Sequence, residues 1–364
     1  MKLLQDLSYA ELSKAVAEKG FESYRADQLN ALKISNRDYS SATNLPKKLI
    51  SAFESEYVAK ASEIVERICG RDGAEKYLFA MTDGNVVEGV FMPHDYGNTL
   101  CISTQVGCRM GCKFCASGLN GLKRNLSSGE MLSEVAAVNA LHGGNSIKRA
   151  VTNIVLMGSG EPLDNFDNVV KFLKEINDGK GLNISLRNVS LSTSGLSQKI
   201  KDLANTGLGV VLSVSLHAAT DEKRSAIMPV NRSNPIASVM EAADYYFKKS
   251  GRRVIFEYAL GRHNSDAASA AELAALLKGK NAHVNLINLN FVKERGMRGL
   301  NRAEIERFMS ELKKRGVSCT LRRSMGADIE GACGQLRIKY LREHDIAGAS
   351  ERRADTDKKD VSDA

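Results

Sequence analysis

The stretch Thr99-Leu-Cys-Ile-Ser-Thr-Gln-Val-Gly-Cys108-Arg-Met-Gly-Cys112-Lys-Phe-Cys115 joins a short apolar run to three closely spaced cysteines. Residues 99–104 have the apolar and β-branched composition of a buried strand. The loop that follows has three and then two residues between its successive thiols, and Gly107 and Gly111 let the backbone fold around one centre. The sequence therefore predicts a strand followed by a loop that binds metal through Cys108, Cys112 and Cys115.

Two kinds of metal centre fit three cysteine ligands. A structural zinc site uses four protein ligands, so zinc would need His142 or a distant cysteine as the fourth. A [4Fe–4S] cluster held by three thiolates keeps one iron open to another ligand. The loop favours the single [4Fe–4S] cluster, and zinc is the alternative.

Apolar runs alternate with amphipathic segments from about residue 86 onward, a pattern typical of repeated βα units with a parallel sheet. The predicted strands are 99–104, 151–157, 188–192, 210–216, 254–260 and 284–290, with one more at 317–322, and the predicted helices are 128–141, 165–176, 196–204, 236–248, 266–277 and 301–315. Six such units are too few for a full eight-stranded barrel. We therefore expect an α/β fold, a partial (β/α)6 barrel, over residues 85–344.

The two ends of the chain differ from this middle part. Helical spacing at 9–18, 25–32 and 45–53 predicts a small helical accessory domain over residues 1–84. Residues 345–364 are polar and charged with few apolar side chains, so a disordered tail is expected there.

The composition and the lengths of the apolar runs indicate to which broad class of protein the chain belongs. The chain of 364 residues is 43% hydrophobic and 26% charged, and no apolar run approaches the roughly 18–20 residues of a membrane helix. The first residues show no charged segment followed by an apolar one, so a signal peptide is not expected. We predict a cytoplasmic protein without a membrane partner, whose seven cysteines are thiols or metal ligands and form no disulfide framework.

The positive charge is concentrated in the middle of the chain. The whole sequence has a formal charge of +8, but residues 85–344 alone carry +11, because both flanking segments are slightly negative. An excess of this kind favours a polyanionic partner, with nucleic acid as the leading candidate.

The spacing C-x3-C-x2-C, with Phe114 before the last cysteine, resembles the signature of the radical S-adenosylmethionine enzymes. The open iron of their cluster binds the amino and carboxylate groups of the methionine moiety. One βα unit later, Met157-Gly-Ser-Gly160-Glu161-Pro162 resembles the GGEP loop that binds this amino group. The two motifs together imply S-adenosylmethionine as cofactor.

Within these enzymes, further segments of the chain resemble one family, the RlmN/Cfr family of RNA adenine methyltransferases. The similarity is collinear from about Glu88 to Leu336, and the N-terminal segment 21–29 is similar to the family's accessory RNA-binding domain. The matching segments are Thr99-Leu-Cys-Ile-Ser-Thr-Gln-Val-Gly-Cys108, Gly158-Ser-Gly-Glu-Pro-Leu163, Leu191-Ser-Thr-Ser-Gly195, Ser215-Leu-His-Ala218, His283-Val-Asn-Leu-Ile287 and Ala332-Cys333-Gly-Gln-Leu336.

This resemblance implies a radical reaction at C2 or C8 of adenine, an electron-poor carbon that has no lone pair with which to attack a sulfonium methyl group. One S-adenosylmethionine methylates a cysteine, and a second yields the 5′-deoxyadenosyl radical that abstracts hydrogen from the S-methyl group. The methylene radical adds to the ring and forms a protein–RNA thioether, which a second cysteine resolves by forming a disulfide. Two molecules of S-adenosylmethionine are therefore expected per turnover.

The family's functional residues match positions of this chain. By motif, Cys333 is the methyl carrier, Cys101 the resolving cysteine and Glu88 the proton acceptor. The residues implied in binding S-adenosylmethionine are Gly160, Glu161, Ser192, Ser215, Leu216, His217 and Asn290. They fall at the C-terminal ends of separate predicted strands, where parallel α/β folds place their sites. The family's proline- and aromatic-containing run is replaced here by Asn288-Leu-Asn290-Phe-Val, which leaves the ribose or base contacts at that strand open.

Pro162 resembles the RlmN branch more than the Cfr branch, so we expect C2 methylation of an adenosine in 23S ribosomal RNA. A tRNA adenosine near the anticodon is an additional candidate. The resemblance also implies a reducing partner such as flavodoxin or ferredoxin, and a monomer. The alternatives are a Cfr-like C8 methyltransferase that gives antibiotic resistance and a non-catalytic iron–sulfur or zinc protein that binds RNA.

Overall fold

The computed structural model describes residues 1–292, 295–323 and 325–326, together with residues 329, 336, 337 and 340. The predicted disordered tail, 345–364, and the predicted methyl carrier, Cys333, lie outside the described residues. Within the described part of the chain, every helix is too short or too polar to cross a bilayer.

The described elements alternate between strands and helices through most of the chain. The strands are β1 (Lys2–Leu3), β2 (Tyr57–Val58), β3 (Ser62–Cys69), β4 (Glu75–Met81), β5 (Val86–Met92), β6 (Thr99–Ile102), β7 (Gln105–Gly107), β8 (Leu122–Asn125), β9 (Asn153–Leu156), β10 (Val189–Thr193), β11 (Val211–Ser215), β12 (Val254–Leu260), β13 (Ala282–Asn288) and β14 (Cys319–Leu321). The α-helices are α1 (Tyr9–Glu18), α2 (Tyr24–Ile34), α3 (Lys47–Glu54), α4 (Ser128–Leu141), α5 (Phe166–Asn177), α6 (Ser197–Asn205), α7 (Asp221–Ile227), α8 (Ile236–Ser250), α9 (Ala267–Leu277) and α10 (Arg302–Lys314).

The main sheet has ten strands in the order β14-β13-β12-β11-β10-β9-β6-β5-β4-β3. Neighbours from β14 to β6 pair in parallel, whereas β5, β4 and β3 extend the sheet in antiparallel fashion. All six predicted strands of the βα units are present, and so is the additional strand at 317–322. The α/β class and the partial barrel are confirmed, with β14 and β3 as the two edges among the described strands.

The helices of the βα units occur at the segments predicted from apolar spacing, and capping boxes begin two of them. In α4, Ser127 Oγ accepts from the Glu130 backbone N–H and the Glu130 carboxylate accepts from the Ser127 N–H, a capping box that begins the helix. Asn301 and Glu304 form the same arrangement before α10. The short helix α7 was not predicted, since seven residues, four of them charged, carry too little apolar periodicity.

The N-terminal part is only partly helical. Helices α1, α2 and α3 occur at the three predicted segments and bury their own apolar cluster, which includes Leu12, Leu29 and Phe53. The expectation that the helical module extends to residue 84 is wrong, because β3 and β4 belong to the main sheet. The apolar residues of β3 follow a spacing of four that resembles a helix, yet its exposure alternates along the strand, as expected when one face packs and the other meets solvent.

Charged and polar side chains join the N-terminal helices to the βα units. Lys33 of α2, 2% exposed at its side chain, lies 3.0 Å from the Glu175 carboxylate of α5 and also donates to the Leu7 carbonyl. Burial raises the pKa of Glu175, and Lys33 opposes that rise. Asp6 accepts from the Gly129 backbone N–H at the start of α4 at 2.7 Å. A buried ion pair and a partly buried hydrogen bond therefore join the N-terminal part to the βα units.

We expect Lys33→Met to lower the free energy of unfolding by about 3–5 kcal/mol, because it leaves the Glu175 carboxylate buried without its cation. Lys33→Met/Glu175→Met, which removes both charges, should be more stable than the single variant, since no unpaired charge remains. Urea unfolding of the three proteins measures both effects. Equal stability of Lys33→Met and the parent protein would contradict this role of the ion pair.

Candidate active site

A cavity of about 350 Å³ lies at the C-terminal ends of the parallel strands. Many of the residues predicted from the sequence meet there. The lining includes Cys101, Cys108, Cys112, Cys115, Gly160, Glu161, Ser192, Ser215, His217 and Asn290. The lining also includes Met157, Ser194, Glu257, Asn288, Arg322 and Arg323, which the motifs did not single out for a role of their own.

The cysteine loop is shaped by a small hairpin that the sequence did not predict. Strands β7 and β8 pair directly before and after the loop, and the Cys108 N–H donates to the Gly121 carbonyl at 3.0 Å. Gly107 has φ 81°, and a Cβ atom there would lie 2.0 Å from the Gly121 oxygen. A glycine is therefore required at 107, as the turn around the three thiols demands.

The donor set fits an iron–sulfur cluster. Burial raises the pKa of Cys108 to about 12, and burial followed by the neighbouring thiols raises the pKa of Cys112. Thiols in such surroundings become thiolates only when a cationic centre is bound to them. Among the described residues, no three His, Cys, Asp or Glu side chains are arranged to hold a single metal ion. Three soft sulfur donors around one cavity suit a [4Fe–4S] cluster with an open iron.

His142, considered as a fourth zinc ligand, lies elsewhere. Its ring stacks on Phe91 with 4.2 Å between centroids, and Nε2 lies 3.0 Å from the Tyr77 hydroxyl and 3.2 Å from the Glu75 carboxylate. It is not part of the cavity lining. The zinc site with His142 as ligand is therefore wrong for this structure.

The loop after β9 passes close to β6 because it contains glycines. A Cβ atom at Gly158 would lie 2.6 Å from the Ile102 carbonyl oxygen, and one at Gly160, where φ is 116°, would lie 2.7 Å from Thr104 Oγ1. Glu161 follows, fully buried, and its carboxylate accepts from the Leu163 N–H at 3.0 Å and the Ser194 N–H at 2.6 Å. Burial raises the pKa of Glu161. The loop thus joins β9 to the end of β10 and presents a buried carboxylate to the cavity.

The other predicted cofactor residues fall into two groups. Ser192 and Ser215 line the cavity at the ends of β10 and β11, and Asn290 lines it after β13. The Leu216 side chain is buried in the core and does not line the cavity. Its backbone N–H donates to the Glu257 carbonyl at 3.0 Å, which joins the end of β11 to β12.

His217 connects the cysteine loop to the sheet. Its ring meets the Phe114 ring edge-on, with 4.8 Å between centroids, and Nδ1 accepts from the Ala259 N–H at 3.0 Å. Burial, with Arg224 next in effect, lowers the pKa of His217 to about 3. A neutral imidazole is consistent with an unprotonated Nδ1 acceptor. His217 therefore acts as a neutral packing and hydrogen-bonding group beside the loop.

Arg224 was missed by the motifs, although it organises the same strand ends. Its guanidinium is fully buried and donates to the carbonyls of Ser194 at 2.6 Å, Ser215 at 3.0 Å and Leu216 at 3.1 Å. It also donates to Asn231 Oδ1 at 2.7 Å. Burial lowers the pKa of Arg224 to about 10, so it remains charged at neutral pH. One side chain thus holds together the ends of β10 and β11.

Arg224→Met should lower the free energy of unfolding by about 3–5 kcal/mol, because the change leaves several buried acceptors without a donor. Arg232→Met is the matched control, since Arg232 is exposed and its replacement should change stability by less than about 0.5 kcal/mol. Denaturant unfolding of both variants provides the measurement. A small effect at Arg224 would show that the strand ends do not depend on it.

The proposed acid–base and cysteine residues have distinct surroundings. Cys101 of β6 is buried and lines the cavity. Glu88 of β5 does not line it: its carboxylate lies 3.4 Å from the fully buried Lys76 ammonium and accepts from the Arg337 N–H. Cys101 therefore shares the cavity with the cysteine loop, whereas Glu88 lies outside the cavity lining and contacts the backbone of Arg337.

Comparisons with known proteins agree with this site. Residues 102–277 match the model of the Radical SAM superfamily. A probable dual-specificity RNA methyltransferase RlmN of Lachnoclostridium phytofermentans is 47% identical over 342 residues, which cover 93% of this chain and 94% of that protein. The protein of the same name from Geobacillus kaustophilus is 44% identical over 344 residues, 93% of each chain.

Among solved structures, a radical SAM methyltransferase from Sphaerobacter thermophilus has a TM-score of 0.87 and 39% sequence identity, and the match covers 92% of this chain and 99% of that one. Identity at this level over nearly the whole length confirms the resemblance drawn from the motifs. The cysteine loop and the Gly-Glu-Pro loop both lie within residues 102–277, the part of the chain that matches the superfamily model. The chain therefore belongs to the radical SAM superfamily and, within it, to the RlmN family of RNA methyltransferases.

Proposed function

We propose that this protein methylates C2 of an adenosine in 23S ribosomal RNA, using Cys333 as methyl carrier and Cys101 as resolving cysteine. The observation that carries the proposal is the position of Cys101, whose buried side chain shares one cavity with the three cysteines of the loop and with Glu161. A thiol placed there is close to where S-adenosylmethionine would react.

We assign the binding of the cluster, the binding of the cofactor, the proton transfer and the release of the product to different residues of the chain. Cys108, Cys112 and Cys115 would hold the [4Fe–4S] cluster, which when bound supplies the electron for reductive cleavage of S-adenosylmethionine. The Gly160–Glu161 loop would bind the ammonium group of the methionine moiety, since Glu161 offers a buried carboxylate to the cavity. Glu88 would accept the proton that leaves the adenine carbon. Cys101 would form the disulfide with Cys333 that frees the methylated RNA.

The proposal also includes the RNA substrates and the protein that supplies electrons. The relatives are named dual-specificity enzymes, which supports a second RNA substrate, and we propose tRNA near the anticodon. The charge of +11 over residues 85–344 supports binding of an RNA backbone. We further propose flavodoxin or ferredoxin as reductant, two molecules of S-adenosylmethionine per turnover, a monomeric cytoplasmic enzyme, and an accessory RNA-binding role for the helical part of residues 1–84.

The test is anaerobic reconstitution with iron and sulfide, followed by reaction with reductant, S-adenosylmethionine and a 23S RNA fragment. Nucleosides from the digested RNA are then separated and identified by mass spectrometry against standards. We expect 2-methyladenosine. A product that coelutes with 8-methyladenosine would assign the Cfr-like reaction instead, and no methylated adenosine with either 23S RNA or tRNA would refute the proposal.

A further inference from the structure

Glu257 is a buried carboxylate in the cavity wall that the motifs left without a role. It lies in the middle of β12, is 4% exposed and lines the cavity. Ser192 Oγ donates to Oε2 at 3.0 Å. The second oxygen, Oε1, is buried and has no hydrogen-bond partner within the described part of the chain.

A buried acceptor without a donor is costly, so such an atom calls for a hydrogen-bond donor from elsewhere. Burial raises the pKa of Glu257, whereas Arg322, another lining residue, lowers it. Glu134 also has an unpartnered buried oxygen, but it does not line the cavity. Glu257 differs in that its carboxylate faces the space where a ligand would lie.

The position of Glu257 indicates which part of a ligand it meets. Its backbone is in register with Ser215 on β11 and with Asn285 on β13, and its carboxylate bonds Ser192 at the end of β10. The cysteine loop and Glu161 form another part of the same lining and suit the methionine moiety of S-adenosylmethionine. The nucleoside moiety would therefore extend along β10, β11 and β12.

We propose that the Glu257 carboxylate binds the ribose 2′- and 3′-hydroxyl groups of S-adenosylmethionine, an inference that rests on the proposed use of this cofactor. A vicinal diol offers two donors to one carboxylate, and dinucleotide-binding folds use a carboxylate on a ribose hydroxyl in this way. Oε1 gains the donor it lacks, and Oε2 is shared between the ribose and Ser192. Glu257 is then a cofactor-binding residue that selects ribose over deoxyribose.

The test compares the dissociation constants of S-adenosylmethionine and its 2′-deoxy and 3′-deoxy analogues. Each is titrated anaerobically into reconstituted holoenzyme without reductant or RNA, so that binding is measured apart from methylation. The parent protein should bind at least one deoxy analogue about tenfold more weakly than S-adenosylmethionine, a difference of about 1.4 kcal/mol in binding free energy. Glu257→Gln should reduce this ratio several-fold, and Glu257→Ala should bring it close to one.

Glu134→Gln is the matched control, because it makes the same chemical change at a buried glutamate outside the cavity lining, and its ratio should equal that of the parent. An unchanged ratio in Glu257→Ala overturns the proposal, and so does a parent protein that binds all three compounds equally. Loss of ribose discrimination in Glu257→Ala supports it even if the holoenzyme yields no methyladenosine, an outcome that would count against the proposed function alone.

Discussion

Cys101→Ala is expected to accumulate a covalent protein–RNA adduct through Cys333, whereas Cys333→Ala gives no adduct, although both variants lose turnover. Without Cys101 the methylene group can still be added to the base, but no second thiol is present to release the product. Without Cys333 there is no methyl group to transfer. The measurement is a denaturing gel with labelled RNA after anaerobic reaction, in which the adduct is a shifted band removed by protease.

Cys319→Ala is the matched control, because Cys319 is also buried but lies in β14 outside the cavity lining. It should retain turnover and show no accumulated adduct. The opposite pattern, with an adduct in Cys333→Ala only, would exchange the two roles. Absence of an adduct from both variants would refute the thioether mechanism for this protein.

Replacing Cys108, Cys112 and Cys115 together by alanine should abolish methylation and remove the cluster. The parent protein should bind about four iron atoms after reconstitution and show the brown iron–sulfur chromophore. The variant should show neither, since no thiolate of the loop remains. Iron analysis and the visible absorption spectrum measure this directly.

Cys69→Ala serves as the control, because Cys69 is exposed on β3 and lies outside the cavity lining. Its iron content and spectrum should equal those of the parent protein. If the triple variant keeps its iron and colour, the cluster is bound by other residues and the loop assignment is wrong.

The repeated βα units could be predicted because their signals are local. A buried parallel strand is apolar along most of its length, and the helices that follow carry both apolar spacing and capping residues, as in Ser127–Glu130 before α4. Strands β3 and β4 were missed for the opposite reason. The side chain of Lys76 in β4 is fully buried and is stabilised by its ion pair with Glu88. Because lysines are usually exposed, the local sequence does not predict that this lysine lies inside a buried strand.

By itself, the sequence identified the three-cysteine loop, the Gly-Glu-Pro loop and the family, because these depend on residue types at short spacings. Only the tertiary structure decided what surrounds them. Arg224 lies 30 residues from Ser194, and Glu257 lies 65 from Ser192, yet each pair is joined by a hydrogen bond. Such partners meet only when β10, β11 and β12 are assembled in one sheet and α7 lies against their ends. Burial, which lowers the pKa of His217 and gives Glu257 its unpartnered oxygen, is likewise a property of the folded chain.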